Sequence, residues 1–132
     1  MEAAFAEFAA VLKDQASEPN PEDERLDALL VDPLLARVRT NLAERRDANQ
    51  VYEVSPESRD DLLSVAVGGD GTATAEICSV TADRLVDEDS GVTIQEGTFT
   101  LRAEASFRRQ DGRWMVSDLA TIESWDGVRQ CV

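Results

Sequence analysis

The chain has 132 residues and a mass of 14.5 kDa, with 42% hydrophobic and 30% charged residues, the balance of one globular domain around one core rather than of a disordered chain. Its 27 acids against 13 bases leave a net charge of −14, a surface that repels phosphate backbones and anionic membranes and argues against nucleic acid as a partner. Histidine is absent, which excludes a Ser-His-Asp or Cys-His catalytic unit and removes the commonest transition-metal ligand.

The first third reads as helices. Phe5, Phe8, Ala9 and Leu12 recur at helical spacing, with Glu2, Glu7 and Asp14 on other faces. Two prolines in SEPNPEDE (17–24) break that helix. The acids after Pro21 suit the start of a second helix, which presents Leu26, Leu29 and Leu30. Asp32-Pro33 opens a third, as an N-cap followed by proline at the first helical position, with Leu34, Leu35, Val38 and Leu42 facing inward.

After Asn49 the period changes from helical to alternating. Val51–Val54 is a short strand, and Ser55-Pro56-Glu57 turns away from it. Leu63, Val65 and Val67 alternate up to a tight Gly68-Gly69-Asp70-Gly71 hairpin. The next strand runs from Thr72 to about Leu85, with Ala73, Ala75 and Ile77 opposed to Thr74, Glu76 and Cys78, and DEDSG (87–91) is a solvated loop. Phe99, Leu101, Ala103, Ala105 and Phe107 alternate with polar residues, and Asp111-Gly112 turns that strand into a last one carrying Trp114, Val116, Ala120 and Ile122 in one register. Helices followed by a meander of half-polar strands predict an α+β domain, one curved antiparallel sheet with helices on one side. The expected division is 1–48 helical, 50–125 sheet and 126–132 a C-terminal tail.

Charge is uneven. Residues 1–32 carry −7, 33–50 carry +2, 51–98 carry −9, and 99–132 are balanced. The positive segment holds Arg37, Arg39, Arg45 and Arg46, a basic stripe that would either steer an acidic partner or pair with the chain's own acidic loops, the second being favoured. No run of 18 apolar residues occurs, so no transmembrane segment is expected in this chain. The acidic clusters 21–24 and 87–89 lack EF-hand spacing, and the sequence points to no metal and no cofactor. Cys78 and Cys131 enclose 52 residues, the wrong spacing for a CxxC motif. Two readings are open: independent thiols, or a disulfide whose loop closure would stabilise by about 4 kcal/mol.

Asp118 falls in the register of Trp114 and Val116, where a carboxylate would be desolvated, as a general base in an apolar cavity requires. The competing reading is a bulge, or a nearby arginine, that removes it from that register. Tyr52, the one tyrosine, stands at the helix-to-sheet junction and could donate to a ligand oxygen, or simply pack its ring. Phe99, Leu101, Trp114 and Val116 are the candidate walls of a ligand pocket. Glu76, Arg102 and Glu104 fit an exposed cross-strand ion pair. Trp114 and Trp125, eleven positions apart, should take opposite faces.

The helical third, the long hairpin from Phe99 to Trp125 and its turn Asp111-Gly112-Arg113-Trp114-Met115-Val116 resemble the nuclear transport factor 2-like superfamily. That is the cone-shaped α+β fold shared by SnoaL-like polyketide cyclases. The Pro33–Val38 helix, the Thr72–Cys78 strand and a second cysteine at the extreme C-terminus are similar to exported or lipid-anchored actinobacterial domains of that fold. The resemblance implies a Cys78–Cys131 disulfide and an extracytoplasmic site, with any signal or anchor cut away before Met1. It supplies no catalytic motif. The expectation is therefore a non-catalytic module for a small apolar ligand or a protein partner, with a homodimer through the sheet as a further option. The alternatives are an isomerase, cyclase or epoxide hydrolase with Asp118 as base and Tyr52 assisting, or a cytoplasmic accessory protein with reduced thiols.

Overall fold

A computed structural model describes residues 1–129 and 131. Alanine, glutamate and leucine, all strong helix formers, fill the first element, and α1 spans Glu2–Ser17. It stops where Pro19 holds Glu18 outside the helical region, at φ −135° and ψ 78°. Phe5, Phe8 and Val11 are buried along one face. Gln15 extends that face: its amide donates to Asp23 Oδ2 at 2.8 Å, and its side-chain carbonyl accepts from Asn20 N–H at 2.7 Å. Asp23 is also the N-cap of α2 (Glu24–Leu29), accepting from Arg25 N–H at 2.9 Å. The third helix, α3 (Leu34–Asp47), starts one residue later than expected. Pro33 stands at the cap position, and Asp32 caps from one step further out by accepting from Ala36 N–H at 3.1 Å.

Seven strands follow: β1 (Gln50–Glu53), β2 (Arg59–Val67), β3 (Thr72–Thr81), β4 (Arg84–Asp87), β5 (Thr93–Gln95), β6 (Phe99–Gln110) and β7 (Arg113–Asp126). Every pairing is antiparallel. The strands form a four-stranded sheet, β2-β3-β6-β7, and a three-stranded one, β1-β4-β5, in place of one continuous sheet. The run expected from Thr72 to Leu85 divides after Thr81 because residues 82–83 bond elsewhere. Asp83 Oδ1 accepts from Ser55 N–H at 2.8 Å and from Ser58 Oγ at 2.6 Å, while Ala82 N–H donates to Ser58 Oγ at 2.9 Å. The β6–β7 turn is the expected one, with Asp111 at φ 52° and Gly112 at φ 77°, the left-handed pair that a two-residue hairpin demands.

The helices pack on one face of the four-stranded sheet, as an α+β domain requires. Ala73, Ala75, Ile77, Ala105, Phe107 and Val116 of that face meet Phe5, Phe8, Leu26, Leu30, Leu34 and Leu42 in one core. The alanines let the helices approach closely, and the Phe107 ring fills the space between them. The opposite face carries Arg102, which donates to Glu76 at 3.1 Å and to Glu123 at 2.6 Å. Glu123 therefore takes the place in this network that the sequence suggested for Glu104.

That outer face is not wholly open. From the end of β7 the chain crosses β6 and reaches β3. Thr100 Oγ1 donates to Gly127 O at 2.8 Å and accepts from Arg129 N–H at 3.0 Å, and Cys131 is disulfide-bonded to Cys78. Val80 and Thr100 are buried in consequence. The two cysteines are thus a pair, not independent thiols.

Strand β7 corrects the expected register. Phe107 pairs with Val116 but Ser106 with Asp118, so Ser117 is an extra, bulged residue; Ile122 is a second one. Ser117 Oγ donates to Ser106 O at 3.1 Å, which satisfies the ladder at the bulge, and Val31 N–H donates to Val116 O at 3.0 Å from outside the sheet. Beyond Ser117 the positions opposite Ala105 and Ala103 are Leu119 and Thr121, so Ala120 and Ile122 leave the inward register and are exposed. The two bulges cancel, so Trp114 and Trp125 still pair with residues of opposite faces, Arg109 and Thr100.

Candidate functional site

A cleft of about 580 Å³ opens between the C-terminal half of α1, one face of α3 and the junction of the two sheets. Leu34, Val38 and Leu42 recur at helical spacing along α3 and form an apolar wall with Leu12, Phe99 and Leu119. Asn41 and Arg45 flank that stripe on the same helix, and Tyr52 of β1 stands beside them. A second pocket of about 250 Å³ shares Leu12 and Leu119 with the first and continues toward Phe8 and Leu101.

Arg45 is the most constrained of these polar groups. Its guanidinium donates to Ala16 O at 3.2 Å, to Gln15 O at 3.3 Å and to Asn41 Oδ1 at 3.3 Å, and it lies 5.0 Å from the centre of the Tyr52 ring. It thereby closes the C-terminal end of α1, which has no basic residue in its own last turn. Burial pushes the Arg45 guanidinium below the ordinary arginine value, with Tyr52 opposing that shift. The other arginines of α3 are tied to acids: Arg39 to Asp27 at 2.6 Å, Arg46 to Glu22 at 2.6 Å, and Arg37 to Asp118. The basic stripe serves chiefly to fasten α3 to its own chain.

The expectation of a desolvated Asp118 is overturned. Its side chain is 43% exposed and ion-paired with Arg37, and its Oδ1 also accepts from its own neighbour, Leu119 N–H, at 2.9 Å. The Ser117 bulge is the physical cause, since it moves Asp118 out of the alternation of Trp114 and Val116. Asp118 does not border the cleft, whereas its partner Arg37 does. Of the proposed pocket walls, Phe99 lines the cleft and Leu101 the adjoining pocket. Trp114 lies apart under the Arg109 guanidinium, and Val116 is fully buried core. Arg45 and Asn41 emerge as site residues only from the structure; the signal was their place beside the apolar stripe of α3.

The acidic clusters are engaged within the chain. Hydrogen bonds from Arg25 hold the Asp23 carboxyl below the ordinary range, and those from Ser90 do the same for Asp87. A carboxylate whose folded value is depressed contributes stability above the unfolded value and loses it as pH falls through the folded one. Urea unfolding is therefore expected to show stability declining as pH falls below about 4, with a shallower decline in Asp23→Asn. A slope unchanged by that substitution would contradict the assignment.

No family model and no curated protein sequence matches the chain. Among solved structures 14 chains match. One is the intermembrane-space region of the chloroplast protein ARC6, with a TM-score of 0.73 over 91% of this chain and 92% of that one. Identity with it is 18%, so the likeness concerns the fold alone. No helix among the described residues is long and apolar enough to cross a membrane.

Proposed function

We propose that this chain is an extracytoplasmic, non-catalytic binding module of the nuclear transport factor 2-like kind, which takes a small apolar ligand in the cleft between α1, α3 and the sheets. The observation that carries this reading is the cleft itself. It has an apolar wall along α3, polar side chains around it, and a volume within the usual range of ligand sites. An extracytoplasmic site is supported by the Cys78–Cys131 disulfide and by the shared fold of an intermembrane-space region. The enzyme alternative loses its main support with Asp118 paired to Arg37 at the surface.

The test is an amide-resolved NMR titration with 1-decanol. Shifts are expected at Tyr52, Phe99 and Leu119, and Val38→Trp, which fills the cleft from α3, should abolish them while the remaining spectrum stays native. Shifts scattered over the surface, or none, would overturn the reading.

A further inference from the structure

We propose that the cleft selects an aliphatic monocarboxylate, its carboxylate seated on Arg45 and Tyr52 and its chain lying along the apolar wall of α3. This rests on the ligand-binding reading above and adds the chemistry of the ligand. A guanidinium has five N–H donors, and Arg45 commits three of them, to two backbone carbonyls and to Asn41 Oδ1. Two remain. Among the described residues Arg45 has no carboxylate partner, unlike Arg37, Arg39 and Arg46 on the same helix.

The neighbouring groups are donors as well. Asn41 turns its carbonyl to Arg45, which leaves its amide hydrogens for a ligand, and the Tyr52 hydroxyl has no hydrogen-bond partner among the described residues. The carbonyl end of α1 carries about half a negative charge, which the full positive charge of Arg45 exceeds. Two carboxylates also border the cleft. Asp83 is already held by Ser55 and Ser58, and Glu96 is exposed to solvent. A half-buried cation whose charged form is disfavoured by burial, with the Asn41 amide and Tyr52 hydroxyl beside it and an apolar wall behind, is complementary to a carboxylate on a hydrocarbon chain. The adjoining pocket across Leu12 and Leu119 offers that chain further length.

Calorimetric titration at pH 8 with decanoate and 1-decanol, both below their aggregation limits, tests the inference. Decanoate is expected to bind at least tenfold more tightly than decanol. Arg45→Gln should erase that preference while keeping decanol binding, which serves as its own control for folding. Tyr52→Phe, which keeps the ring, should weaken decanoate several-fold and leave decanol unchanged. Equal affinities in the unaltered protein, or a preference that survives Arg45→Gln, would overturn the carboxylate assignment and leave the apolar-ligand reading standing. Failure of both ligands to bind would overturn the two together.

Discussion

Replacing Cys78 and Cys131 together with serine is expected to lower the free energy of unfolding by about 4 kcal/mol, the chain-entropy value for a loop of this length. The disulfide spans 53 positions and holds the final segment across the outer face. A domain of this size commonly has only about 5–15 kcal/mol in total, so the loss would be large. Urea unfolding with and without reductant measures it. The reduced protein and the double variant should share one midpoint, well below that of the oxidised protein. Because the cross-link also restricts the unfolded chain, the reduced form should unfold with the steeper denaturant dependence. Coincident curves would show that the cross-link contributes nothing.

Phe107→Ala is the second large effect, a loss of about 3–5 kcal/mol. Phe107 is 1% exposed and sits on β6 between Ala73 of β3 and Val116 of β7. Its neighbours on the same face include Ala75 and Ala105, whose side chains cannot expand into a void. Phe107→Leu keeps most of the volume and should cost about 1 kcal/mol. Chemical denaturation of both variants separates them. Similar losses would mean that the aromatic shape, rather than the filled volume, stabilises this layer.

What could be read from the sequence were features with a local physical signature. The apolar period of residues 5–12 and 34–42, the prolines between helices and the Asp111-Gly112 turn each constrain backbone within a few residues, and the helices and the long hairpin follow from them. The bulges at Ser117 and Ile122 have no such signature, because an inserted residue changes the register without changing composition. Counting by two from Trp114 therefore carried Asp118 to the wrong position. The break at residues 82–83 depends on Ser55 and Ser58, more than twenty positions away. Arg45 was legible as part of a basic stripe but not as a cleft residue, since the carbonyls it binds lie 29 and 30 positions earlier.

The bond between Cys78 and Cys131 makes the second half of the molecule a covalent ring that contains the whole of β4, β5, β6 and β7. The exposed turn Glu88–Gly91 lies inside that ring. A protease cutting there would sever the backbone without separating the pieces, since each fragment keeps one half-cystine. Nicked and intact chains would migrate alike until a thiol reagent parted them, and the domain could survive digestion that dismantles a linear chain.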